Sequence, residues 1–140
     1  MLDDLKTARN KVRDIIRDAW QFPGDSPVFI GRPMIPIATY PYAVIRTPQV
    51  PMEWTGVRNV CETYEFEIGG FFIPGGTDIL DDVRADKAKA LGEALMAANW
   101  NDLGCYQPFV PMVQFPADDL DTNDPYEISL TFVVLSDRSE

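Results

Sequence analysis

The segment Cys61–Ile68 alternates strictly between two sets of side chains, and this alternation constrains the fold most. One set is Glu62, Tyr64, Phe66 and Ile68, and the other is Thr63, Glu65 and Glu67. Because successive side chains of a strand point to opposite faces, the pattern predicts a strand over 60–73 with one buried and one wet face. Gly69 and Gly70 predict a break or a bulge in that strand.

Two amphipathic helices are predicted to cover the buried face. Leu2–Ala19 places apolar residues at helical spacing and charged residues on the opposite side. Thr77–Ala98 repeats the pattern, with Arg84, Lys87 and Lys89 assigned to its polar side. Asn99–Gly104 closes the second helix as a polar stretch ending in glycine.

Prolines limit what residues 27–55 can form. Five of the 12 prolines lie between Pro33 and Pro51, so long central strands are excluded there. Short strands are expected at 42–46 and at 28–31, joined by extended segments. These segments either pack on their own domain or dock on a neighbour. The second interpretation makes Pro33, Pro36, Pro48 and Pro51 candidate interface residues.

The C-terminal third is predicted to form a hairpin. Residues 106–115 are apolar but contain Pro108 and Pro111, which favours an irregular or edge strand. Residues 116–125 form an acidic loop, and 126–135 form the last strand, whose second half is expected to be buried on both faces. The tail from Ser136 to Glu140 is expected to be solvated.

Together these elements predict an α+β fold in one domain spanning residues 1–140. The order is α-β-β-β-α-β-β, with one antiparallel or mixed sheet of four to five strands packed with two helices. A chain of 140 residues is long enough to bury a core without metals or disulfides. Cys61 and Cys105 stand apart from each other and are expected to be free thiols.

The charge composition restricts the function classes. The net charge is −10 and no basic cluster is present, so sequence-specific nucleic-acid binding is not expected. The sequence contains no His, which excludes Ser-His-Asp and Cys-His catalytic systems. No nucleotide-binding glycine loop or cofactor motif is present. A signal peptide and a membrane-spanning run are also not expected.

The acidic loop leaves alternatives open. Asp119, Asp121 and Asn123 have the first spacings of a calcium loop, but Asp124 and Leu130 stand where that loop needs Gly and Glu. A solvated hairpin tip, an acidic lip for a basic partner, and the metal site of a small hydrolase are the three interpretations. The second makes Asp118, Asp119 and Asp121 candidate interface residues, and the third uses them with Asp124.

Two further pairs of residues carry open alternatives. Glu65 and Glu67 lie on one strand face roughly 7 Å apart, either on an exposed face or lining a channel. Trp54 and Trp100 adjoin polar segments, and each is either a residue at the edge of the core or an interface anchor.

The layout resembles the tail terminator proteins of long-tailed bacteriophages. The matching parts are the helix Leu2–Ala19, the strand Cys61–Ile68, the helix Thr77–Ala98 and the closing strand Tyr126–Leu135. The resemblance covers nearly the whole chain in element order, size and texture, without a signature motif. It implies a non-enzymatic virion protein of the tail or neck, assembled in the host cytoplasm.

The resemblance also implies partners. It implies a homohexameric ring on the head-proximal end of the tail tube, which ends tube growth and joins the tail to neck or connector proteins. Sheath protein is a further partner it allows, and DNA passes through without specific binding. Six copies at −10 each give −60 around the ring. Another neck, head-completion or tail-tube subunit is the alternative within the structural class.

Overall fold

The computed structural model describes residues 2–31, 39–74, 80–116 and 125–139. Within these ranges a mixed sheet of six strands carries two α-helices, which confirms the predicted α+β class. The elements are α1 (Leu5–Ala19), β1 (Val28–Ile30), β2 (Tyr42–Arg46), β3 (Met52–Trp54), β4 (Asn59–Phe72), α2 (Leu80–Ala97), β5 (Cys105–Gln114) and β6 (Tyr126–Ser139).

The sheet is built around one long antiparallel pair. β4 and β6 are 14 residues each and pair along their whole length, from Asn59 opposite Ser139 to Phe72 opposite Tyr126. The strand order is β1-β2-β4-β6-β5, and β3 also pairs with β4. Among the strand pairs of the described residues, only the short β1–β2 pair is parallel.

Both helices lie on the same face of the sheet and form the core with it. Ala8, Val12 and Ile16 of α1 and Leu91 and Leu95 of α2 are fully buried. They pack against alternate residues of the sheet, which are Ala43, Ile45, Tyr64, Phe66, Ile68, Ile128, Leu130, Phe132 and Val134. This arrangement confirms the buried face predicted from the alternation.

The prediction of a break or bulge at Gly69 and Gly70 was wrong. β4 continues through both glycines with unbroken pairing, Gly69 opposite Ser129 and Gly70 opposite Ile128. The reason lies in packing: a Cβ on Gly70 would come within 2.5 Å of the Trp20 ring. Gly70 therefore lets the indole at the end of α1 lie directly on the strand.

The predicted solvated tail was wrong at Ser136, which is fully buried and whose hydroxyl donates to Asp4 Oδ2 at 2.8 Å. Asp137 is exposed as predicted, and β6 continues to Ser139. The neighbour of Ser136 across the sheet, Glu62, is buried as well and accepts from the Leu2 backbone N–H at 2.9 Å. Polar residues near the end of the long pair are thus satisfied by the segment that enters α1.

Two smaller expectations also need correction. β3 is a strand in a region assigned to loop, which raises the strand count to six. Arg84, assigned to the polar side of α2, is only 6% exposed, and its guanidinium lies 5.6 Å from the centre of the Tyr126 ring. A long side chain can bury its stem and stack its head on an aromatic face, which a helical-wheel pattern does not anticipate.

Candidate assembly surface

One face of the sheet carries no helix within the described part of the chain, and we call it the open face. It consists of the strand residues that alternate with the core set. From β2 these are Tyr42, Val44 and Arg46; from β4, Cys61, Thr63, Glu65, Glu67, Gly69 and Phe71; and from β6, Glu127, Ser129, Thr131, Val133, Leu135 and Asp137. Most of these residues are partly exposed, and Val133 is buried at 4% exposure. A sheet face without a helix layer is a natural place for a partner to bind.

Glu65 and Glu67 lie at the centre of the open face, and each has a polar neighbour. Arg46 Nη2 donates to Glu67 Oε2 at 2.9 Å across the β2–β4 pair. Gln49 Nε2 donates to Glu65 Oε2 at 2.9 Å. The Arg46 and Glu67 side chains are 64% and 40% exposed, so this ion pair is screened by water and contributes little stability alone.

A pocket of about 410 Å³ opens on this face between β2, β4 and β6. Arg46, Glu67, Phe71, Glu127 and Ser129 are among its lining residues. Burial raises the pKa of the Glu127 carboxyl, and the positive charge of Arg46 opposes that rise. The pocket therefore combines two carboxylates and one guanidinium, a composition suited to a polar side chain from a partner.

Aromatic side chains form the margin of the open face beside the pocket. The rings of Tyr42 and Phe71 stack with centroids 4.6 Å apart and an interplanar angle of 13°. Tyr40 and Phe29 contact Tyr42 at 5.3 and 6.1 Å between centroids. Burial is the largest cause that raises the pKa of the Tyr42 phenol.

The opposite margin is apolar and lies on the edge strand β5. Phe109 and Met112 stand opposite Val133 and Thr131, so they share the open face, and they are 45% and 50% exposed. The pairing shifts between Tyr106 and Phe109 and again between Phe109 and Met112, and Pro108 and Pro111 fall in these two intervals. Proline fits at bulges of an edge strand because it has no N–H to donate. This confirms the predicted edge strand.

The predicted interface residues are only partly gathered on this face. Pro48, Pro51 and Trp54 are exposed, the last by 52%. Trp54 pairs with Val60 and so lies on the helix side at the sheet's end, not on the open face. Trp100 is a core residue, 2% exposed, with its Nε1 donating to the Leu95 carbonyl at 2.7 Å. Pro33, Pro36, Asp118, Asp119 and Asp121 lie outside the described residues.

A thiol, a phenol and a carboxylate meet at one end of the open face. Tyr106 Oη donates to Asp137 Oδ1 at 2.8 Å and lies 3.6 Å from Cys61 Sγ. Burial raises the pKa of the Cys61 thiol, and the hydrogen bond with Cys61 raises the pKa of the Tyr106 phenol. A protonated thiol is a weaker nucleophile than a thiolate. Cys105 is buried, and both cysteines are free as predicted.

Among the described residues, no group of three or more metal-ligating side chains lies close enough to hold an ion. Asp118, Asp119 and Asp121 lie outside the described residues, so the metal-site interpretation of the acidic loop stays a prediction. Neither described helix combines the length and the apolar composition needed to span a bilayer.

The sequence reasoning missed most of the open face. Arg46, Gln49 and Glu127 were not singled out, although the alternation of β6 could have placed Glu127 beside Phe71. Phe109 and Met112 could not be assigned to a face because two bulges interrupt the alternation of β5. No protein-family model matches this chain, and no curated protein is significantly similar to it.

Proposed function

We propose that this chain is a structural subunit that forms a ring on the head-proximal end of a phage tail tube. The ring ends tube polymerisation and joins the tail to neck or connector proteins. The observation that carries the proposal is the open face, a sheet surface built on two 14-residue strands. Its apolar margin on β5 is exposed at Phe109 and Met112, and its aromatic margin at Tyr42 and Phe71 is partly exposed. The resemblance in element order is the reason for placing the subunit at the head-proximal end of the tail.

The composition of the open face favours a protein partner. Phe109 and Met112 at one margin and the Tyr42–Phe71 stack at the other offer apolar area whose burial contributes about 25 cal/mol per Å². The centre is polar and acidic. Protein–protein interfaces typically combine apolar side chains that are desolvated on binding with polar side chains that fix the orientation of the partner. Small-molecule catalysis would instead favour a deep pocket with activated groups.

The acidic character of the chain suits passage of DNA through a ring. Carboxylates repel phosphates, so a bore with a net negative lining lets the duplex slide without binding. Lining such a channel is one of the two interpretations that the sequence left open for Glu65 and Glu67. The apolar margins of the same face favour the other possibility, burial of this face against a protein partner.

Adding the purified chain to growing tail-tube protein from the same phage tests the proposal. A terminator stops elongation at substoichiometric ratio, and gold-labelled chains appear at one tube end in negative-stain images. Label distributed along the tube would instead identify a tube subunit. Tubes that grow to unchanged length with no label at their ends would refute the terminator assignment.

A further inference from the structure

One flank of α1 carries a row of basic residues at spacings of three, four and four. These are Lys6, Arg9, Arg13 and Arg17, and we call them the basic stripe. At 1.5 Å rise per residue the stripe is about 16 Å long. Arg17 Nη1 donates to the Ser26 carbonyl at 2.9 Å, so the stripe lies on the flank towards β1. Lys11, on the other flank, donates to the Asn99 carbonyl beyond α2.

The basic stripe is incompletely satisfied within the described residues. Lys6 is exposed, and the Arg13 side chain is 38% exposed with a 3.4 Å contact to Asp14. Arg9 Nε is shielded from solvent without a hydrogen-bond partner in the described part of the chain. Guanidinium groups form bidentate pairs with carboxylates, so an acidic surface of similar length is the matching partner.

The open face presents such a surface. Glu65 and Glu67 lie on β4, and Glu127 stands beside Phe71 on the same face. From position 65 to position 71 this acidic row spans about 20 Å by strand rise. Among the open-face residues of the described strands, Arg46 alone is basic. The acidic row and the basic stripe therefore match in length and oppose in charge, and they lie on opposite layers of one chain.

We propose that the basic stripe of one copy docks on the acidic row of the next copy. Two different surfaces of the same chain then meet, which makes a head-to-tail contact of the kind that closes into rings. The contact also covers part of an open face whose margins are apolar. Glu65 and Glu67 become interface residues under this assignment, not channel-lining ones. The inference rests on the proposed ring and names the contact that builds it.

A charge-exchange experiment on the full chain tests the contact. One variant carries Glu65→Lys and Glu67→Lys, and the other carries Lys6→Glu and Arg13→Glu. Each alone places like charges in every copy-to-copy contact, so self-association measured by sedimentation should weaken at least roughly tenfold. In an equimolar mixture, the basic stripe of the first variant meets the acidic row of the second with the wild-type signs. The reverse contact has exchanged signs, so both contacts are attractive and association should return. Both variants stay net negative, so bulk attraction cannot explain the recovery.

Lys89→Glu on the exposed side of α2 is the matched control and should leave association unchanged. A wild-type chain that stays monomeric to about 1 mM, or a mixture that stays as weak as its components, would overturn the contact. Circular dichroism melting establishes that each variant is folded.

A second measurement avoids substitution altogether. A zero-length carbodiimide cross-link between ¹⁴N and ¹⁵N wild-type chains should join Lys6 of one copy to Glu65 or Glu67 of another. Inter-chain products that avoid these residues would overturn the proposal. Tube capping is a separate readout. Capping by a chain that lacks this contact would support the proposed function and refute the contact. The contact without capping would support the interface and refute the terminator function.

Discussion

The indole of Trp20 packs against Gly70, and an added Cβ on that glycine would come 2.5 Å from Cζ3 of the ring. The same ring meets Phe72 edge-on at 5.1 Å between centroids, and its Nε1 donates to the Lys87 carbonyl at 2.9 Å. Trp20 therefore joins the end of α1, the strand β4 and the helix α2. The absence of a side chain at Gly70 of β4 makes this junction possible.

Substituting Gly70 with Ala should destabilise the fold by about 1–3 kcal/mol, because the methyl group forces the Trp20 ring to move in a packed core. Gly69→Ala is the matched control. Its Cβ would meet only ordinary contacts at 3.4 Å on the open face, so its effect should stay within about 0.5 kcal/mol. Urea unfolding of both variants measures the difference. Equal stabilities would show that the junction is not tightly packed.

The two tryptophans that the sequence left undecided should respond differently to truncation. Trp100→Ala removes a ring that is 2% exposed and packs on Phe132 at 5.1 Å, and should cost about 3–5 kcal/mol. Trp54→Ala removes a half-exposed ring and should change the free energy of unfolding by about 0.5 kcal/mol or less. Thermal unfolding of the two variants side by side is the test, and a smaller loss at Trp100 would be contradictory.

The sequence predicted those helices and strands whose apolar residues recur with a single, uninterrupted period. The alternation of Glu62, Tyr64 and Phe66 located both faces of β4, and the helical spacing located α1 and α2. The rest depends on tertiary contacts that no local pattern records. Gly70 was interpreted as a break because no local pattern shows that it contacts Trp20, which is 50 residues away in the sequence. The tail was interpreted as solvated because Asp4, which accepts from Ser136, is 132 residues away.

The candidate surface was less predictable for a related reason. Glu65 and Glu67 were singled out from their own strand, but their neighbours Gln49 and Arg46 come from a proline-rich segment with no clear period. Phe109 and Met112 follow bulges that shift them relative to any alternation. Whether a sheet face is covered by helices depends on the whole sheet. The open face could therefore be recognised only once the strand order was known.

Glu127 should make the stability of the chain depend on pH. Burial raises the pKa of its carboxyl in the folded chain, so the folded state holds the proton more tightly than the unfolded state. Stability therefore falls as pH rises from the ordinary value near 4.5 through the raised value, and the loss persists above it. Glu127→Gln removes this loss and should stabilise the chain at pH 7 relative to wild type.

Chemical denaturation of this pair at pH 3 and pH 7 checks the sign. At pH 3 both side chains are neutral, so that comparison is the control for effects of the amide itself. The gain of the variant over wild type should be larger at pH 7. If the gain of the variant over wild type is smaller at pH 7 than at pH 3, the attraction of Arg46 for the Glu127 carboxylate outweighs the effect of burial.

The apolar margin on β5 should matter for assembly and not for folding. Phe109→Ser with Met112→Ser removes two side chains that are about half exposed, so the melting temperature should change little. Self-association and tube capping should both weaken, since burial of these side chains in a partner contact is lost. Val57→Ser, at a position that is 97% exposed, is the matched control and should leave both unchanged. Unaltered association in the double variant would remove this margin from the interface.

The most direct test of the assembly role is the mass of the particle in solution. Multi-angle light scattering over a concentration series, alone and with tail-tube protein, reports that mass. A closed ring predicts growth to a plateau near six times 15.8 kDa, about 95 kDa, with a central hole in negative-stain images. A mass that stays at 15.8 kDa at every concentration and in the presence of tube protein would contradict the account.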